Sequence, residues 1–216
     1  MARIIKPRKA KAAIAVVVDG PDEKWYIDQA RKHYCNGKAR SLQVSPKFPS
    51  RKKVKNLFEA AEAESKKEYT RVVLIIDLDD ILCDQDEYQS FCSLYGKYQI
   101  IKSGGTVRGA AWMKKLIVIV NNPCLEYWYL LHHSATRRFF DRYKPELYHT
   151  LRRCPQLSDY EKSETYYNNI PDIYTRLGHD AGVAVARHNA HPFNIASCSQ
   201  EGCSEMNILF DLFDAL

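Results

Sequence analysis

The chain has 216 residues, 45% apolar and 27% charged, which is enough to bury a core and excludes general disorder. Its formal net charge of +6 suits an anionic partner without demanding one. No apolar run approaches the roughly 18 residues of a membrane span, and an odd count of seven cysteines does not read as a disulfide framework.

Taken in chain order, residues 1–12 form a basic arm with Arg3, Lys6, Arg8, Lys9 and Lys11. No signal-peptide hydrophobic segment is visible, so a cytoplasmic protein with no membrane association is expected. Ala12–Val18 is rich in Ala and Val and ends in Asp19-Gly20, the pattern of a buried strand. Pro21 suits the first position of a helix, Asp22 and Glu23 complement its dipole, and Tyr26, Ile27, Ala30 and Tyr34 recur at helical spacing. Leu42–Val44 reads as a short strand before Pro46 and Pro49. Val54, Leu57, Phe58 and Ala61 predict an amphipathic helix over about 51–66. Val72–Ile76 is a second strongly buried strand, followed by Asp77-Leu78-Asp79-Asp80. Phe91, Leu94 and Tyr95 predict a helix, and Leu116–Val120 a third strong strand stopped by Asn121-Asn122-Pro123. From Cys124 a helix carries Leu125, Trp128, Leu131 and His132 on one side. Strands alternating with helices imply an α/β fold over residues 13–149, with a mostly parallel central sheet flanked by helices. Residues 150–216 are poorer in β-branched runs and read as a helical C-terminal extension packed on one flank of the same domain.

In such sheets, sites form outside the carboxyl ends of the strands. Asp19 closes the first strand, Asp77 and Asp79 the second, and Glu126 follows the third; Glu23 lies one helical turn beyond Asp19. Taken singly, each acid reads first as a helix cap. Together they would repel one another unless a cation intervened, and hard carboxylate oxygens suit Mg²⁺ or Mn²⁺ better than zinc. All five are expected around one cleft. A second basic cluster, Arg51, Lys52, Lys53 and Lys55, reads either as a solvated helix face or as a surface for nucleic-acid backbone.

Three segments carry a resemblance. Val18-Asp19-Gly20-Pro21-Asp22-Glu23-Lys24-Trp25-Tyr26 resembles the opening motif of the RloB-like family, a branch of the toprim fold. Ile75-Ile76-Asp77-Leu78-Asp79-Asp80 is similar to the toprim DxD motif. Asn122-Pro123-Cys124-Leu125-Glu126-Tyr127-Trp128 resembles the family's Asn-Pro-Cys-Phe-Glu-x-Trp block, and Tyr160-Glu161-Lys162 with the Asn207–Leu216 helix resembles weaker family features. The family opens with Glu-Gly; Asp19-Gly20 keeps the charge and shortens its reach by one methylene. The resemblance implies a toprim-like, Rossmann-like sheet and a metal-dependent nuclease of DNA or RNA in a restriction or phage-defence setting, often beside an ATPase partner. It also implies Asp19, Glu23, Asp77, Asp79 and Glu126 as metal ligands, with Lys162 stabilising the charged transition state.

Asp77-x-Asp79 also resembles the nucleophile motif of haloacid-dehalogenase-type phosphatases, although Asp80-Ile81 replaces the usual hydroxyl residue. The same fold with a weakened metal site would make a nucleic-acid-binding or regulatory subunit. His188, His191, Cys198 and Cys203 lack the spacing of a strong zinc motif. Cys124 at a helix start would gain acidity there, though packing is the plainer role. His132 and His133 read as structural.

Overall fold

β1 (Ile14–Val17) lies between two parallel neighbours, β2 (Leu42–Ser45) and β3 (Arg71–Asp77), and β3 pairs in parallel with β4 (Leu116–Asn122). The computed structural model describes residues 14–34, 42–45 and 53–215. The basic arm, Arg51 and Lys52 therefore lie outside the described residues. A two-residue strand, β5 (Cys203–Ser204), closes the sheet antiparallel to β4, giving the order β2-β1-β3-β4-β5. The chain passes from β1 outward to β2 and then returns across β1 to β3. The switch point therefore falls between the carboxyl ends of β1 and β3, where open α/β sheets place their crevice.

Period-2 alternation divides the strand residues between two cores. Ala15, Val17, Val72, Leu74, Ile76, Val118 and Val120 face α2 (Val54–Ser65) and the helices that follow β3, α3 (Asp79–Leu82) and α4 (Gln85–Lys102). Leu57, Phe58, Phe91 and Tyr95 fill that side. Ile14, Val16, Val73, Ile75 and Ile119 face α1 (Pro21–His33) and α5 (Glu126–Leu131). At roughly 1.5–3 kcal/mol for each fully buried large apolar side chain, both layers contribute heavily to stability.

The C-terminal segment does not merely lean on this second side; it completes it. It contains α6 (Tyr148–Leu151), α7 (Glu164–Asn168), α8 (Ile173–Arg176), α9 (His179–Asn189) and α10 (Asn207–Asp214). Leu151, Tyr160, Tyr167, Ile173, Val183, Leu209 and Phe210 share one core with β1, β3 and α1. Trp128 of α5 donates its indole N–H to the Tyr26 hydroxyl of α1 at 2.6 Å inside that core.

Two local outcomes differ from the sequence expectation. β4 runs on through Asn121 and Asn122, because Ser204 and Cys203 of β5 pair with them and their amides are satisfied in place. The Asn122 amide donates to the carbonyls of Cys198 and Glu201, each at 2.7 Å. β5 itself is too short to carry a periodic signal in a segment read as helical and irregular. No helix among the described residues is long and apolar enough to cross a membrane.

Candidate functional site

The first wall of the site is the turn from β1 into α1. Gly20 caps the helix in an extended conformation, Pro21 takes its first position, and Asp22 and Glu23 fill the first turn. Glu23 curls back to accept the Gly20 N–H at 2.6 Å. A Cβ at residue 20 would stand 2.8 Å from Glu23 Oε2 and 2.9 Å from Asp22 Oδ1, so glycine is what lets both carboxylates crowd this turn.

The second wall is the turn after β3. The Leu78 and Asp79 N–H groups donate to the Pro123 carbonyl at 2.7 and 3.0 Å, tying this turn to the one after β4. Asp77 accepts the Asn121 side-chain amide at 3.0 Å and the Leu125 N–H at 3.2 Å. Asn121 is in turn fixed by the Ser204 hydroxyl at 2.6 Å, so β5 orients Asp77 through one intermediary.

The third wall is α5 with the C-terminal segment. Glu126 is fully buried, while Asp22, Glu23 and Asp77 are 4%, 2% and 8% exposed. Glu126 Oε1 accepts the Tyr160 hydroxyl at 2.9 Å and faces Lys162 Nζ at 3.2 Å. Lys162 also reaches Asp22 Oδ2 at 2.7 Å and lies over the Tyr143 ring. Behind Tyr160, Tyr167 stands at 2.7 Å and accepts from Tyr129 at 3.1 Å, a chain of hydroxyls that ends on Glu126.

These charges feel one another. Burial, then the charges of Asp77, Asp22 and Asp19, holds the Glu23 carboxyl well above the usual carboxylate range, with Lys162 pulling the other way. Asp77 is raised in the same manner, by burial and then by Asp79. Burial and the neighbouring Asp80 push Asp79 up to about 6, and Glu126 adds to the shift. Burial disfavours the Lys162 ammonium, but Glu126 and Asp22 outweigh it and raise the affinity of Lys162 for its proton. Asp19, Glu23, Asp77, Asp79, Glu126 and Lys162 thus belong to one electrostatic cluster, which also includes Asp22.

The donor chemistry of this cluster, carboxylate oxygens throughout, fits a hard divalent cation. Glu126 Oε2 is buried and has no hydrogen-bond partner among the described residues, an oxygen left over by the protein's own contacts. The other contacts of the cluster are made to Lys162, Tyr160, Asn121 and backbone N–H groups. Among the described residues no group of three or more His, Cys, Asp or Glu is arranged to hold a metal ion, and that covers His188, His191, Cys198 and Cys203 as well.

Sequence reasoning treated Asp22 as a dipole complement only, and did not find Asn121 or the orienting role of Tyr160. Asp22 and Tyr160 lie inside recognisable motifs, but the charged partners that give them their roles, Lys162 and Glu126, are more than thirty residues away in sequence. Lys162 is held between two acids rather than extended into solvent. Lys53 is offset by Glu87 at 3.7 Å and Lys55 by Glu59 at 3.9 Å. For Cys124, burial and the charges of Glu126 and Asp77 push the thiol well up, overriding any help from a helix start. Burial pulls His132 down to about 3, so its ring is neutral and donates to the Trp128 carbonyl at 2.9 Å.

No curated protein and no solved structure matches the chain. A family model described as RloB-like protein matches residues 14–211, a span that takes in all three walls of the site. The chain belongs to the RloB-like protein family.

Proposed function

We propose that the chain is a divalent-metal-dependent nuclease that cleaves phosphodiester bonds in DNA or RNA, as the effector of a restriction-associated or antiviral defence system. Family membership is consistent with the restriction or defence setting. The observation that carries the catalytic part is the cluster of buried, mutually repelling carboxylates at the β1/β3 switch point, with Glu126 facing it from α5. Such repulsion is relieved by a proton or a cation.

Asp19, Glu23, Asp77, Asp79 and Glu126 would hold Mg²⁺ or Mn²⁺, which when bound supplies positive charge at the scissile phosphate and lowers the pKa of water. The remaining roles belong to the chain itself. Asn121 and the Leu125 N–H keep Asp77 in one orientation. Tyr160 holds Glu126 by Oε1, leaving Oε2 as the oxygen to take a proton from attacking water. Lys162 brings a fixed positive charge for the anionic transition state. An ATPase partner of the kind the family resemblance implies belongs to the same proposal.

The test is incubation of purified protein with DNA and with RNA, with Mg²⁺, Mn²⁺ or chelator. Metal-dependent cleavage is expected, and intact substrate in every condition would overturn the nuclease reading. One observation favours a second reading, a nucleic-acid-binding or regulatory subunit: the Lys162 ammonium already pairs with both Asp22 and Glu126. Binding without cleavage is its signature.

A further inference from the structure

The segment from Ser134 to Arg153 holds six Lys and Arg residues against two acids, a local net charge of +4 in a chain whose total is +6. Arg137, Arg138, Arg142, Lys144, Arg152 and Arg153 are all exposed. Arg137 and Arg138 are offset by Glu201 at 3.7 Å and Glu146 at 2.9 Å. Among the described residues, Arg142, Lys144 and Arg152 have no carboxylate at ion-pair distance. Lys144 and Arg152 instead lie 5.3 Å from the centre of the Tyr148 ring, which holds two cations in place without spending their charge.

This surface joins the carboxylate cluster on two sides. Arg142 directs Nε to Cys83 Sγ at 3.1 Å, at the end of the α3 turn that begins with Asp79. Its neighbour Tyr143 lies under Lys162 and edge-on to Tyr160. Two cavities of about 350 and 420 Å³ open here, and both are lined by Phe139, Asp141 and Arg142. One extends to Lys144 and Pro145, the other to Leu82 and Cys83. A concave notch with an apolar wall and cations at its rim suits a base splayed from a single strand better than the smooth backbone of a duplex.

We infer that the Arg137–Arg153 surface, with Arg142, Lys144 and Arg152 as its phosphate contacts and the Phe139 notches for bases, binds an unpaired nucleic-acid strand and leads it to the carboxylate cluster. The inference rests on the proposed function only for the choice of nucleic acid as the polyanion.

The experiment measures binding in chelator, so that it does not depend on cleavage. A labelled single strand of about 16 nucleotides, as DNA and as RNA, and the same sequence as a duplex are titrated at several salt concentrations by fluorescence anisotropy. In the combined R142Q/K144Q/R152Q variant the log–log salt slope should fall by about 0.7 per lost phosphate contact, near 2 in all, with affinity at least about tenfold weaker. K53Q/K55Q should leave the slope unchanged. Far-UV circular dichroism checks that the exposed substitutions leave the fold intact, and R142K should restore its share of the slope. An unchanged slope in the combined variant, or tighter binding of the duplex, overturns the inference. Binding that depends on the Arg137–Arg153 surface, with no cleavage in Mg²⁺ or Mn²⁺, refutes the nuclease reading and supports this one; cleavage with an unchanged slope does the reverse. A chain that binds neither nucleic acid overturns both.

Discussion

Lys162 meets Asp22 at 2.7 Å, joining the C-terminal segment to the first turn of α1 across the mouth of the carboxylate cluster. The same ammonium stands 3.2 Å from Glu126 Oε1, so one lysine compensates two buried acids. Removing it as Lys162→Met leaves both without their counter-charge. Breaking a fully buried pair costs about 3–5 kcal/mol; because the lysine side chain is 36% exposed, water screens the loss, and about 1–3 kcal/mol is expected. Urea denaturation measures it. Added Mn²⁺ should recover more stability in the variant than in the parent chain, because it replaces the missing positive charge. Equal Mn²⁺ effects in the two proteins would show that Lys162 and the cation do not share a site.

Gly20 is a second point where structure and chemistry meet. Its φ of −139° is open to any residue, so alanine there is not strained by the backbone. The difficulty is the carboxylate oxygens of Glu23 and Asp22, less than 3 Å from the new methyl. Side-chain ends can move, so Gly20→Ala should cost no more than about 1 kcal/mol of stability. The displaced Glu23 should nevertheless lose its Gly20 N–H contact, and Mn²⁺ binding followed by calorimetry should weaken at least about tenfold. Unchanged binding would remove this turn from the cation site.

How much of this could be read in advance differs by residue. Ile14–Val17, Val72–Ile76 and Leu116–Val120 are continuous apolar runs bounded by turn chemistry, so the parallel sheet and the acids at its carboxyl ends are visible as pattern. The short β5 was not, since two residues have no period, and with it went the reason Asn121 and Asn122 remain in a strand. Asp22 and Lys162 are separated by some 140 positions, and only the packing of α7 and α8 on α1 brings them together. The surroundings of a charge are hidden from the sequence for a related reason. Lys53 and Lys55 stand out in the sequence but have acidic neighbours in the fold, whereas Arg142 and Lys144 are interspersed with Asp141 and Glu146 and stand out only on the surface.

Tyr160 tests how Glu126 is held. Its hydroxyl bridges Glu126 Oε1 and the Tyr167 hydroxyl, and all three residues are buried. Tyr160→Phe keeps the ring and its packing but leaves a buried carboxylate oxygen one donor short, at about 1–3 kcal/mol. If Tyr160 positions Glu126 to take a proton in catalysis, kcat should fall at least about tenfold while KM changes little. A merely structural tyrosine would lower the melting temperature and leave kcat where it was.

Asp79 is the most direct test of the cluster. Burial and Asp80 raise it from an ordinary 3.8 to about 6, so the folded chain binds its proton more tightly than the unfolded chain does. The stability this contributes is fully present below about pH 4 and is lost as pH rises through about 6. Asp77 and Glu23 are raised in the same direction, so the metal-free protein should melt higher near about pH 5 than near about pH 8. Asp79→Asn removes one of these charges while keeping size and hydrogen-bonding capacity. In chelator its melting temperature should equal or exceed the parent's at about pH 8, the gain in unfolding free energy being at most about 1–3 kcal/mol because the side chain is partly exposed, and the difference should shrink toward about pH 5. With metal the order reverses: the parent gains more from Mg²⁺ or Mn²⁺ than the variant, and cleavage by the variant falls at least about a hundredfold, comparable to losing a main electrostatic stabiliser. A variant that melts lower than the parent across the whole pH range would mean that Asp79 is a structural cap. One that still cleaves at the parental rate would take Asp79 out of the site.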